Sequence, residues 1–396
     1  METLMTVKLK PGEENRLLGG HPWVFSNELE GAAVQAEPGC LAAAVDSRGR
    51  PLGVGFYNPH SLIAWRLVSR QPQDVDEAFF RGRLETALTL RQRLYPGARS
   101  FRLCFGESDG LPGLVVDKYE DILSVQVLSA GIESRLELVS AALRGLLSPK
   151  GIFLHNEHPA RALEGLKTES RVLWGEVPER VGIEEDGLKF LIPLREGQKT
   201  GFYFDQRENR ALTAAFSRGR KVLDLHCYTG GFALHAARGG AAKVLGLDSS
   251  SLAVDLAREG AKLNGLDGTC EFDEGDAEEV LGAFAFGRQP YEPDLIVLDP
   301  PSFAQSKKHL MKALRAYVKL NSMALRALRP GGMLAMSTCS HHVGRESFVG
   351  MLREAAAKAH RSLRLVELRT QAKDHPILLA MPETEYLHFA LLEVAG

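Results

Sequence analysis

The run Val222-Leu223-Asp224-Leu225-His226-Cys227-Tyr228-Thr229-Gly230-Gly231-Phe232 is an apolar stretch that enters a glycine turn. Glycine lets a ligand approach the backbone closely, and the free N–H groups that open a following helix can receive an anionic or carboxylate group. A nucleotide-like ligand fits such a turn, and a plain strand-to-helix connection accounts for it as well. Tyr228 stands where a GxGxxG run has its first glycine, which counts against clamping of a dinucleotide pyrophosphate. Three more carboxylates follow. Asp248 ends Val244-Leu245-Gly246-Leu247 and can accept both hydroxyls of a ribose. Asp276, in Gly275-Asp276-Ala277, can hold an adenine amino group, and Asp299 opens Asp299-Pro300-Pro301-Ser302-Phe303, where two prolines stiffen the backbone. Each Asp alone is explained by capping a helix; together, at successive strand ends, they favour a nucleoside site. Ser337-Thr338-Cys339-Ser340-His341-His342 puts a thiol where doubly wound folds do chemistry, against the alternative of a small buried hydrophobe. No Cys or carboxylate at ligand spacing completes a set with the two histidines, so no metal is assigned. Lys307, Lys308, His309, Lys312, Arg315 and Lys319 form a basic cluster that suits phosphates or a solvated helix face.

The elements that must carry these groups alternate regularly from Val222 onward. Strands are expected at 222–225, 244–247, 295–298 and 333–336, with helices near 232–237, 252–263 and 310–328, which is a βαβ series with a parallel sheet. Before it, short runs at 5–10, 40–45, 52–57 and 62–67 predict a small all-β module. A helix is expected over 75–95, then strands at 113–116 and 122–127 and a helix over 132–147, an α+β unit. The reading is therefore α/β, with a Rossmann-like domain at 191–396 preceded by a β module at 1–72 and a central domain at 73–190.

The length of 396 residues suits two to four domains, and 44% apolar with 25% charged residues excludes a mainly disordered or collagen-like chain. Apolar stretches fall short of a membrane span and no leader pattern opens the chain, so a cytoplasmic location is expected. The 5 cysteines lack CxxC spacing, and reduced thiols are expected. A net charge of −2 means that any nucleic-acid affinity must come from local patches.

Assembled, these residues resemble a class I S-adenosylmethionine-dependent methyltransferase, and more closely the bacterial 23S rRNA cytosine-5 methyltransferases that carry a PUA domain. His21-Pro22-Trp23-Val24-Phe25-Ser26 looks like that family's PUA opening, and Glu107-Ser108-Asp109-Gly110-Leu111-Pro112-Gly113-Leu114 with Asp117 looks like its middle-domain signature. Gly197 to Arg207 resembles the entry into the catalytic domain, and Asp374-His375-Pro376 a loop near the C-terminus. The resemblance implies a cofactor site at Asp224, Thr229, Gly230, Asp248, Asp276 and Asp299 and a nucleophile at Cys339, with Asp299 also serving the reacting base. Gln206 or Arg207 would receive the carboxylate of S-adenosylmethionine, unless Asp205 caps a helix and leaves Arg207 on the surface. Lys199, Lys307, Lys308 and Trp23 are the candidate RNA contacts, with core packing as the alternative for Trp23. Ser302 and Phe303 occupy the place where the wider RNA cytosine-5 group often has a second cysteine. The implied partner is 23S rRNA or a large-subunit assembly intermediate, with no membrane, and a homodimer stays open. Methylation of uracil C5 or a guanine amine, and a non-catalytic RNA-binding role in ribosome assembly, are the competing readings; a dinucleotide oxidoreductase ranks below them.

Overall fold

The computed structural model describes residues 4–31, 35–197, 200–285, 291–303 and 307–395. The chain forms two compact units: one comprises residues up to 181 with 193–202 and 373–384, the other 182–192, 203–372 and 385–396.

In the first unit, β1 (Met5–Lys8), β2 (Trp23–Val24), β3 (Cys40–Val45), β4 (Pro51–Tyr57) and β5 (Trp65–Ser69) make one sheet in the order β1-β3-β4-β5-β2, with the short helix α1 (Glu14–Leu18) beside it. The strand expected at 62–67 starts later, at Trp65. Asn58-Pro59 opens a turn closed by the Asn58 N–H donating to Ala64 O at 2.8 Å, which leaves Leu62 68% exposed. A second sheet, ordered β10-β9-β8-β7-β6, is built from β6 (Ser100–Phe105), β7 (Leu114–Tyr119), β8 (Ile122–Val127), β9 (Gly151–Asn156) and β10 (Glu169–Gly175). The helices α2 (Glu77–Leu94) and α4 (Leu136–Leu147), with the turn α3 (Ala130–Glu133) before it, cover this sheet. Phe80, Leu84, Val139 and Leu143 from the helices and Leu103, Val125 and Leu154 from the strands share its core.

The β module is fastened to the second sheet by buried charge. Arg66 donates to Glu107 at 3.2 Å and to Glu164 at 2.9 Å, and Glu164 also accepts from Asn58, Ser61 and the Ala130 N–H. Burial raises the Glu164 carboxyl, but Arg66 and these hydrogen bonds outweigh it and hold the group below its ordinary value.

The second unit contains a two-stranded sheet of β11 (Arg180–Glu185) and β12 (Leu188–Pro193), whose first residues and last belong to the other unit. Its turn is Asp186-Gly187 with φ of 51° and 77°, the Asp-Gly hairpin signal that a left-handed two-residue turn demands. The main sheet has seven strands: β13 (Lys221–Leu225), β14 (Lys243–Asp248), β15 (Cys270–Glu274), β16 (Leu295–Leu298), β17 (Met333–Thr338), β18 (Leu363–Arg369) and β19 (His388–Val394), ordered β15-β14-β13-β16-β17-β19-β18. The first five are parallel, as the alternation predicts. The parallel reading is incomplete at one edge, because β19 runs antiparallel to both β17 and β18. The helices are α5 (Arg207–Ala215), α6 (Gly231–Arg238), α7 (Ser251–Leu263), α8 (Ala277–Ala285), α9 (Leu310–Ala327) and α10 (Arg345–Ala359). No helix among the described residues is long and apolar enough to cross a membrane.

Candidate active site

The order of the main sheet reverses at β13, which pairs with β14 on one side and β16 on the other. Ligands of open α/β sheets sit at such a switch point, beyond the carboxyl ends of the strands. Asp224, Asp248 and Asp299 stand at the ends of these three adjacent strands. Asp224 is 1% exposed, and its Oδ2 accepts the Ala233 N–H in the first turn of α6 at 2.9 Å. Burial pushes its carboxyl well above the ordinary range, and the nearby Asp299 and Asp248 carboxylates push the same way.

The turn after β13 holds three residues in the left-handed region, His226, Tyr228 and Gly230, at φ of 62°, 48° and 81°. For Tyr228 that conformation is strained, and strain of this kind clusters at ligand sites. Asp248 supports the turn: its Oδ2 accepts the Tyr228 N–H at 2.9 Å and its Oδ1 the Ser250 N–H at 3.0 Å. Two such bonds use half of a carboxylate's roughly four acceptor sites and leave the others open to a further donor. Gly230 is required twice over, by its φ and because a Cβ would lie 3.2 Å from both Ala257 Cβ and Phe272 Cζ.

Asp299 is half-buried and accepts on one oxygen from Gln206 Nε2 at 3.0 Å and from Ser337 Oγ at 2.5 Å. Gln206 also donates to Ser337 Oγ, and its own Oε1 accepts from Asn209 at 2.7 Å. Gln206 thus orients Asp299. Sequence reasoning missed this role and that of Ser337; the spacing of two residues between Ser337 and Cys339, which puts both on one face of an extended strand, was the available signal. Cys339 is half-buried just beyond β17. The Cys227 thiol, next to the glycine turn, is buried and pushed well above its ordinary value, Cys104 likewise, and Cys270 up to about 12. These three stay protonated thiols at neutral pH. His342 and His341 follow on the exposed surface, with the His341 ring stacked on Tyr386 at 5.2 Å.

Two expectations need correction. Arg207 is not on the surface: it is 4% exposed and its Nε donates to Glu185 at 3.1 Å, in a cluster that Arg210 joins at 2.6 Å. Asp205 caps no helix; its Oδ2 accepts the Tyr386 hydroxyl at 2.6 Å. Burial decides both, since a charged head in the interior must take the nearest opposite charge or hydrogen-bond partner. Asp276 is exposed and accepts the Glu279 N–H at 2.9 Å, so it caps α8. Trp23 is half-buried, donates to Glu107 at 2.8 Å, and carries the Arg66 guanidinium 5.1 Å from its ring centre, so its polar edge is already engaged. Lys308 is exposed; Lys199 and the side chain of Lys307 lie outside the described residues. Glu185, Asp186 and His235 meet within ligand distance of one another, but two guanidinium ions already neutralise Glu185 there.

The glycine turn fits a nucleoside cofactor with a cationic centre. Thr229 Oγ1, Asp224 Oδ1 and His226 Nε2 are buried without a hydrogen-bond partner around it, and the Asp248 and Asp299 carboxylates favour positive charge at the mouth. A Rossmann-like domain with these features is a nucleoside-binding α/β enzyme domain. A family model described as S-adenosylmethionine-dependent methyltransferase matches residues 143–382, and one for a PUA-like domain matches residues 7–70. The chain belongs to the S-adenosylmethionine-dependent methyltransferases, and its cofactor is S-adenosylmethionine. It is 41% identical over 390 residues to the Ribosomal RNA large subunit methyltransferase I of Aeromonas hydrophila, covering 96% of this chain and 97% of the relative. The protein of that name from Pseudoalteromonas atlantica is 36% identical, covering 98% and 99%. In fold, the chain is similar to an S-adenosylmethionine-dependent methyltransferase structure from Streptococcus mutans, with a TM-score of 0.85 at 20% identity over 99% of this chain and all of the other. A second solved methyltransferase, complexed with S-adenosylhomocysteine, has a TM-score of 0.84.

Proposed function

We propose that this protein methylates carbon 5 of a cytosine in 23S rRNA, on free RNA or on an assembling large subunit in the bacterial cytoplasm, with Cys339 as nucleophile. The observation that carries the reading is the half-buried Cys339 just beyond β17, the strand paired with β16, whose end carries an Asp299 that two donors hold in place, while Cys104, Cys227 and Cys270 are buried and held as thiols. The relatives named as large-subunit rRNA methyltransferases support the substrate class. S-adenosylmethionine, when bound, would supply an electrophilic methyl group, the electron pair of the broken sulfur–methyl bond staying on sulfur as S-adenosylhomocysteine leaves. Carbon 5 of cytosine is too weak a nucleophile to take it unaided. The Cys339 thiolate adds to C6, and the electron pair of the C5–C6 double bond becomes available at C5 to form the new bond to carbon. Asp299 balances positive charge at N3 and the amino group during this addition. A base then removes the C5 proton; the C–H electrons restore the double bond and the C6–S bond breaks, returning the thiolate. Asp224, Thr229, Gly230, Asp248 and Asp276 hold the cofactor, and Gln206 acts through Asp299. Arg207 we assign to the Glu185 cluster. Lys308 with its basic neighbours, and the β module, meet the RNA, and the target base leaves its stack to reach the thiol. The modules at 1–72, 73–190 and 191–396 divide this work.

RNA carrying 5-fluorocytosine at the target cannot lose a C5 proton. Wild type should therefore form a denaturant-resistant protein–RNA adduct when the cofactor is supplied, and Cys339→Ala should form none. Methylated uridine or guanosine on nucleoside analysis of the product would defeat the cytosine reading.

A further inference from the structure

The loops after β16 and β17 are joined by a chain of hydroxyl groups. Tyr317, on α9, is fully buried, and its Oη accepts the Phe303 N–H at 3.3 Å and the Thr338 hydroxyl at 3.0 Å. Thr338 Oγ1 in turn accepts the Ser340 N–H at 3.3 Å, which leaves its own hydrogen for Tyr317. A phenol oxygen that accepts twice gives its single hydrogen to the remaining partner, Ser340 Oγ at 3.0 Å. Ser340 then gives its hydrogen to Ser302 Oγ at 2.7 Å. The reverse order would leave the hydroxyl hydrogen of the fully buried Thr338 without an acceptor among the described residues, a costly state, so this direction is the favoured one. The last member, Ser302, accepts one bond and keeps an O–H to give. It is half-buried, three residues after Asp299, and its partner Ser340 is the residue after Cys339.

The chain is unsuited to carrying protons. Burial holds the Tyr317 phenol above its ordinary value, and the inner end stops at backbone amides, so a proton taken at Ser302 has no exit. What it does is orient Ser302.

We propose that Ser302 is a preoriented hydrogen-bond donor to the reacting pyrimidine, addressed to the C2 carbonyl, with Tyr317 as the positioning residue behind it. This rests on the cytosine reading above. Thiolate addition at C6 moves electron density into the ring, part of it onto the C2 oxygen. A donor fixed in advance stabilises that density more than it stabilises the unreacted base. Asp299 as acceptor and Ser302 as donor, within one proline-stiffened turn, complement the amino group and the carbonyl of cytosine. Uracil presents a carbonyl at C4 to the Asp299 carboxylate and is rejected.

Single-turnover methyl transfer by the full-length protein to unmodified 23S rRNA tests this. Ser302→Ala should slow transfer about 10- to 100-fold with cofactor affinity and melting midpoint unchanged. Ser302→Thr, which keeps the hydroxyl, should recover most of the rate. Tyr317→Phe should slow transfer less, and the double variant Ser302→Ala/Tyr317→Phe should be no slower than Ser302→Ala, because Tyr317 acts only through Ser302. Additive losses would reduce Tyr317 to a packing role and overturn the chain. A wild-type rate in Ser302→Ala, with 5-fluorocytosine still trapped by wild type, overturns the Ser302 inference alone. Failure of wild type to trap that RNA overturns the cytosine reading and this inference with it.

Discussion

At the scale of single residues, the site is a set of carboxylates whose different surroundings give them different work. Asp248 keeps one oxygen on the Tyr228 N–H of the glycine turn and the other on the Ser250 N–H before α7, so replacing it should loosen the strained Tyr228 conformation and, on the proposed reading, remove ribose acceptors with it. Asp248→Ala should weaken S-adenosylmethionine binding by about 1.5–3 kcal/mol, the range for hydrogen bonds to a charged group. Calorimetry giving the wild-type affinity would take Asp248 out of the site. Asp224 makes a different prediction. Its folded-state pKa is raised by burial, so its ionisation opposes folding: the stability is complete below the ordinary carboxylate range and is lost as pH rises toward the raised value. Asp224→Asn cannot ionise and still accepts the Ala233 N–H. Its melting midpoint should gain on wild type as pH goes from about 4 to about 8. A pH-independent difference would mean that Asp224 ionises in the fold as it does in water.

At the scale of elements, the strand ends deliver the acids, but α5 and the β11–β12 turn lock the entry to the catalytic fold. Glu185, fully buried at the end of β11, takes Arg207 and Arg210 from the first turn of α5, whose side chains are 5% and 2% exposed. Gln206, one residue earlier, is thereby set to reach Asp299. Removing Glu185 strands two buried guanidinium ions, and breaking a buried pair from one side costs about 3–5 kcal/mol. Denaturant unfolding of full-length Glu185→Ala should show a loss of that size; a loss under about 1 kcal/mol would show that water or another acid takes its place.

At the scale of the whole molecule, 48 basic against 50 acidic residues give no general attraction to RNA, so affinity must be local. Lys308, just before α9, and Lys312 and Arg315 in its first turns are exposed without an ion pair among the described residues, whereas Lys319, one turn on, is paired with Glu278. Affinity for 23S rRNA should fall with salt, and Lys308→Ala or Lys312→Ala should each lower the slope of log K against log salt by about 0.7. Lys319→Ala should change it less. Equal effects at all three positions would argue for diffuse rather than local attraction. Deleting the β module would strip Arg66, Asn58 and Ser61 from the buried Glu164.

The sequence by itself determined the strand ends and the acids they carry. Apolar runs ending in Asp224, Asp248 and Asp299 fix secondary structure locally, and parallel strands then bring their carboxyl ends to one edge. Cys339 was legible for the same reason. Tertiary structure alone decided which side chains those acids meet: Gln206 and Ser337 on Asp299, Glu185 on Arg207, and Ser302, Ser340 and Tyr317 on one another. Their partners are far apart in the chain, and no local periodicity encodes the pairing. Arg207 shows why: its charge alone suits the surface, but α5 buries it, and the Glu185 carboxylate, distant in sequence, pairs with it.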